Sequence, residues 1–187
     1  PYYVHLITEK LLWRVYEDTA AEYITLDHLR MAIDDAVRDA HVEIRRAYDD
    51  ATRGRTERYR HIAWAAADSW DLERSAAEIY RSYQGVATVL QASGQTVDPV
   101  LASNQCSNVL ATLRKDSYGP LLPAGFRSGQ HAFCENIVRG FVRLSAASAG
   151  IELQDHSPAE TPALTAQGRE RRYVDPRRFG GGPPRSF

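Results

Sequence analysis

Six histidines, His5, His28, His41, His61, His131 and His156, are spread through the sequence with no His-x-x-x-His pair, and Cys106 and Cys134 stand far apart with no Cys-x-x-Cys. A zinc site draws its ligands from such short-spaced pairs, so the spacing points away from a metal centre. Ser69, Ser75 and Ser82 fall in stretches that read as helix or helix cap, and no glycine-flanked serine elbow accompanies them. No Gly-x-x-x-x-Gly-Lys-Ser/Thr loop occurs to cradle phosphates, and no apolar strand ends in paired acids that would hold magnesium. These residues therefore predict neither catalysis nor a cofactor of their own. What they offer is recognition chemistry: Asn104 and Asn108 with Ser103 and Ser107, then Arg114, Lys115 and Arg127. Asparagine matches the adenine edge, and arginine meets guanine or phosphate.

Those side chains need elements to present them. Val4, Ile7, Leu11 and Val15 recur at helical spacing over about residues 1–18, and Pro1 suits an opening position where its missing N–H costs nothing. Leu26, Leu29, Ile33, Val37, Ala40 and Ile44 predict one long helix over about 25–50, with Thr25 as N-cap. The two make a helical hairpin with an acidic outer face, since residues 1–50 hold six Lys/Arg against eleven Asp/Glu. The segment 52–58, Thr-Arg-Gly-Arg-Thr-Glu-Arg, lacks apolar periodicity and is read as a domain boundary, giving units 1–52 and 59–150.

In the second unit, Ile62, Ala63 and Ala66 share a face of a helix over 59–69, and Ser75 to Glu78 forms a capping box opening a second helix through Ile79, Tyr83 and Val86. Asp98-Pro99 predicts the start of a third, with Ala102, Cys106, Val109, Leu110 and Leu113 on its inner face. Glycines and prolines between 119 and 129 then punctuate Leu121-Leu122 and residues 131–133, which reads as a β-hairpin. A last helix over 135–149 stops at Gly150. The expected fold is mainly α: a helical hairpin followed by a winged helix-turn-helix. Residues 154–187, rich in Arg, Gly and Pro, read as a disordered tail carrying six Arg against two acids over 169–187.

A winged helix invites DNA binding through its third helix and wing. Yet residues 59–150 hold eight basic and seven acidic side chains, a balance that withholds the phosphate attraction on which DNA affinity usually rests. Docking to protein is the favoured expectation, through exposed aromatics for which Trp70, Tyr80 and Tyr118 are candidates. Both thiols sit among apolar neighbours and read as buried and unpaired, which fits a reducing cytoplasm. No run of about 18 apolar residues predicts a membrane span.

The element order, with Pro1-Tyr-Tyr-Val-His-Leu-Ile, Ile24-Thr-Leu-Asp-His-Leu, Glu78-Ile-Tyr-Arg-Ser-Tyr and Phe133-Cys-Glu-Asn-Ile-Val-Arg-Gly-Phe-Val-Arg, resembles the C-terminal lid and winged-helix region of bacterial AAA+ ATPases of the origin-recognition and signalling-ATPase kind. The likeness spans roughly residues 1–150. It implies a non-catalytic fragment of an ATP-binding protein, with ATP and magnesium held by an upstream core and with that core, a protein or duplex DNA as partner. Lids of this kind carry an arginine that senses the γ-phosphate near the start of the first helix. Here that stretch holds Tyr2, Tyr3 and His5, the first arginine being Arg14, so His5 is the one candidate to approach the nucleotide. The alternative expectation is a free-standing winged-helix DNA-binding regulator whose first fifty residues form a dimerisation arm.

Overall fold

The computed structural model describes residues 2–94, 100–115 and 120–153. Seven helices and two short strands follow in the order α1 (Tyr2–Glu17), α2 (Leu26–Asp39), α3 (Val42–Thr52), α4 (Glu57–Ala67), β1 (Glu73–Ser75), α5 (Ala76–Ala92), α6 (Ser103–Leu113), β2 (Gln130–Ala132) and α7 (Asn136–Ser148). The fold is mainly helical with one small antiparallel sheet.

α4 is the centre. Residues 61–69 are all buried, a pattern apolar around most of its circumference, so helices cover it from several sides: α5, α6 and α7 all pack against it. Its alanines at 63, 65, 66 and 67 allow that close approach. α5 starts as predicted: Ser75 Oγ accepts from the Glu78 backbone N–H while a Glu78 carboxylate oxygen accepts from the Ser75 N–H at 2.7 Å. Arg74, buried in β1, fastens this neighbourhood by donating to the carbonyls of Ala65 at 2.6 Å and Glu78 at 3.2 Å and to Ser82 Oγ at 2.9 Å. α7 stops at Gly150, whose φ of +77° lets the Ile151 N–H return to the Ala146 carbonyl at 2.9 Å.

α1 and α2 form the expected hairpin, joined by Asp35, which accepts from Arg14 at 2.6 and 2.9 Å and also from Arg38, and by an ion pair between Lys10 and Asp39. Arg14 holds the Asp35 carboxyl below the usual aspartate range. At the turn, His28 Nδ1 accepts from the Thr25 N–H at 3.2 Å and its Nε2 meets Asp18 at 3.0 Å, so a buried histidine completes the helix cap that Thr25 begins.

Three expectations are corrected. The long helix over 25–50 is two, because Ala40 and His41 adopt extended backbone (ψ 140° and 133°) and Arg45 donates to the freed Arg38 carbonyl at 3.2 Å; the bend carries Tyr48 and Ala51 onto the core instead of along α2. The expected hairpin between the 121–125 and 130–134 runs forms, through the Ala124–His131 bridge and bonds from the Gly125, Ala132 and Cys134 N–H groups to the Gln130, Pro123 and Leu121 carbonyls at 2.8, 3.3 and 3.2 Å, and β2 pairs on its other side with β1, Glu73 opposite Ala132. Leu121 and Leu122 are fully buried and serve the core. Val4 points to solvent rather than joining the inner stripe, and Cys134 is exposed although partial shielding still raises its thiol pKa; Cys106 is buried, its thiol pushed up to about 11. Asp98-Pro99, Tyr118, His156 and the tail lie outside the described residues, and α6 is capped by Gln105 Oε1 accepting from the Ala102 N–H at 3.0 Å.

Residues on the two sides of 52–58 share one cluster: Ala40, Tyr48 and Ala51 are buried together with α4 and α7. Tyr48 meets Phe141 edge-on at 5.6 Å, and α7 packs on α2 and α3 as well as on α4. At its other side α7 receives α1. The Tyr3 ring lies over Gly140 and its hydroxyl donates to the Ile137 carbonyl at 2.5 Å; burial raises the phenol pKa well above its ordinary value.

Candidate functional site

α6 turns Cys106, Val109, Leu110 and Leu113 inward, which leaves Ser103, Asn104, Ser107 and Asn108 on an exposed polar face. Asn104 Oδ1 accepts from the Gln105 N–H at 2.9 Å, so its amide group remains to donate outward. Arg114 and Lys115 follow, both exposed. Arg114 lies near His131, where its charge and burial together depress the imidazole pKa and favour the neutral ring.

Arg127 stands in different surroundings. The turn between Ala124 and Gln130 is held by Glu73, whose carboxylate accepts from the Phe126 N–H at 2.5 Å and the Arg127 N–H at 3.3 Å. Arg127 shares a groove with Asp71, Glu73, Glu78 and Gln130. Successive strand residues face opposite ways, so Gln130 beside Arg127 and His131 beside Arg114 mark two sides of β2. Asn104, Asn108, Arg114 and Lys115 thus gather on and just after α6, while Arg127 sits across the strand among three carboxylates. Glu73 aims the tip of the turn outward and leaves Phe126 99% exposed. Of the aromatics considered from sequence, Trp70 is exposed beneath the Arg143 guanidinium at 5.8 Å, and Tyr80 stacks half-buried on Tyr83.

Another group of exposed apolar residues lies elsewhere. α1 has no buried residue, and its outer side presents Leu12, Trp13 and Tyr16, the last two in edge contact at 5.9 Å. Tyr23 and Ile24 in the connector and Leu26 at the start of α2 are also exposed. Because α1 and α2 run antiparallel, as the Lys10–Asp39 and Arg14–Asp35 pairs show, all six collect at the connector end of the hairpin. Exposed apolar side chains gathered at one end of a helix pair point to an interaction site, whereas single exposed hydrophobics need no explanation. A sequence signal for it exists: Leu12, Trp13 and Tyr16 fall off the Ile7, Leu11, Val15 stripe, giving α1 a second apolar face that one-sided packing does not require. His5 is exposed on α1 and makes no hydrogen bond or ion pair with the described residues.

Among the described residues no group of three His, Cys, Asp or Glu side chains is placed to hold a metal ion, and no helix is long and apolar enough to cross a membrane. No family model, no curated protein and no solved structure matches the chain.

Proposed function

We propose that this chain is a non-catalytic coupling unit of a AAA+ ATPase, in which the α1–α2 hairpin is the lid and α4 to α7 form a winged helix. The observation that carries this reading is the apolar connector end of the hairpin, Leu12, Trp13, Tyr16, Tyr23, Ile24 and Leu26, which the described residues leave exposed. A lid requires such a surface to rest on its ATPase core. The order helix α4, strand β1, helices α5 and α6, wing and α7 supports the second half of the reading. ATP and magnesium belong under it to a separate core domain, because residues 1–187 contain no phosphate-cradling loop. The winged helix then contacts protein through its acidic-sided wing and Phe126, or DNA through Asn104, Asn108, Arg114 and Lys115.

The test uses the longer chain of the same reading frame beside residues 1–187. ATP hydrolysis by the longer chain that falls at least tenfold in Trp13→Glu, with residues 1–187 inert and monomeric by sedimentation, is the expected result. A symmetric dimer of residues 1–187 dispersed by Trp13→Glu would replace the lid with the dimerisation arm of a free-standing regulator. The polar face of α6 favours that second reading, which further requires salt-sensitive duplex-DNA binding lost in Asn108→Ala and Arg114→Ala.

A further inference from the structure

A cleft of about 520 Å³ opens between the hairpin, α3, α4 and α7, away from every surface described above. Arg38, Arg45, Arg53 and Arg60 wall it, and Tyr48 and Trp64 line its floor. Three of these arginines have carboxylate partners: Arg38 with Asp35, Arg45 with Asp49 at 3.2 Å, and Arg60 with Glu57 at 2.9 Å. Arg53 has neither an ion pair nor a side-chain hydrogen bond among the described residues, so the cleft keeps a surplus positive charge. Asp49 is the one carboxylate in its lining.

The floor supplies an independent observation. Trp64 is only 3% exposed, and its indole Nε1 has no hydrogen-bond partner. It lies beside the Tyr48 hydroxyl without reaching it in hydrogen-bond geometry, and that hydroxyl already accepts from Ser145 Oγ at 3.3 Å. Buried donors nearly always find an acceptor in a folded protein. A ligand oxygen entering the cleft would supply the acceptor once the Trp64 ring shifts to expose its N–H.

We propose that this cleft binds a small phosphorylated molecule, with Arg53 and the outward N–H groups of the other three arginines on phosphate oxygens and one ligand oxygen accepting from Trp64. Each guanidinium carries five donors in a fork, so pairing with one carboxylate leaves others to share. Several forks around one centre suit a tetrahedral oxyanion with many acceptor oxygens better than a single carboxylate. The volume lies in the range of small-ligand sites, about 300–1,000 Å³, and its walls come from four helices.

Pyrophosphate is the probe, titrated into the 187-residue chain at low salt and followed by calorimetry and tryptophan fluorescence, with citrate and duplex DNA as parallel titrants. Saturable pyrophosphate binding is expected, about tenfold or more weaker in Arg53→Ala, which removes a charge-assisted contact from an exposed position and leaves the circular-dichroism spectrum unchanged. Trp64→Phe keeps an aromatic ring but not the indole N–H; it weakens binding in calorimetry and removes the Trp64 share of the fluorescence response, Trp13 and Trp70 remaining. If Trp64→Phe does not fold, Arg53→Ala decides alone. No response to pyrophosphate up to about 10 mM, unaltered affinity in Arg53→Ala, equal affinity for citrate, or an Arg53-dependent response to DNA alone would each overturn the proposal.

Discussion

Gly140 occupies the middle of α7, where alanine is ordinarily preferred by about 1 kcal/mol. A Cβ placed there would lie 2.5 Å from Cε2 and 2.9 Å from Cδ2 of Tyr3, against about 3.5–4.0 Å for carbon atoms in contact. In Gly140→Ala the ring must therefore withdraw by about 1 Å, with loss of the hydroxyl bond to Ile137, about 1 kcal/mol, and an overpacking cost of about 1–3 kcal/mol. Set against the helix gain, the variant should be destabilised by about 1–3 kcal/mol. Once Tyr3→Ala has removed the ring, the same substitution should stabilise by about 1 kcal/mol, so the two sites couple by about 2–4 kcal/mol. A double-mutant cycle of urea unfolding reads both terms. Gly140→Ala that stabilises the protein with Tyr3 in place, or additivity of the two changes, would refute the docking of α1 on α7.

Arg74→Met, which leaves the Ser82 hydroxyl and the Ala65 and Glu78 carbonyls without their charged donor, should cost about 3 kcal/mol, measured as a fall in the urea midpoint at constant slope. Glu73→Ala should speed hydrogen exchange at the Phe126 and Arg127 amides about tenfold, while exchange at Leu122, whose N–H binds Leu113 inside the core, stays unchanged. Acid should unfold the chain from the hairpin and the α5 cap: His28 at Asp18, Arg14 at Asp35 and the Ser75 N–H at Glu78 hold these carboxyls below their ordinary values of 3.8, 3.8 and 4.5. Because the unfolded chain takes up these protons first, the stability they contribute is complete above those values and is lost as pH falls through the folded ones; Asp35→Asn should flatten the fall. Stability that stays constant as the pH is lowered from 5 to about 2 would contradict those contacts.

Elements with a local cause were legible in the residues alone. The Ser75–Glu78 box opens α5 and Gly150 ends α7 because a cap and a left-handed turn each depend on a few neighbouring side chains. The break at Ala40–His41 carries neither Gly nor Pro; it is set by the burial of Tyr48 and Ala51 against α7, almost a hundred residues further on, which no local pattern records. Three-residue strands show no periodicity, so the pairing of Glu73–Ser75 with β2 was invisible, and with it the carboxylate clamp on the wing. Asn104, Asn108, Arg114 and Lys115 could be placed together from helical spacing, whereas the separation of Arg127 from them follows from that unseen register. The Trp64 donor and the four arginines come from α2, α3, α4 and the turn after α3, and only tertiary packing assembles them.

The hairpin and α4 are joined through α7, and under the proposed lid reading this decides how a signal at one would reach the other. Tyr3 docks on Gly140, Ser148 donates to Asp34 of α2 at 2.6 Å, and Tyr48 packs on Phe141, so three contacts spread along α7 hold the hairpin and α3. On the opposite side α7 packs on α4, and the Arg143 side chain donates to the Ala67 carbonyl at 2.9 Å at the end of that helix. A hairpin displaced by its partner cannot swing alone; it must drag α7 or break contacts at both its ends. A bound nucleotide elsewhere would shift the wing only by making different contacts with the hairpin in its two positions. Under the lid reading, the joint at Tyr3 and Gly140 is then where coupling is set, and a variant that loosens it should leave ATP turnover in the longer chain while uncoupling turnover from contacts made by the wing.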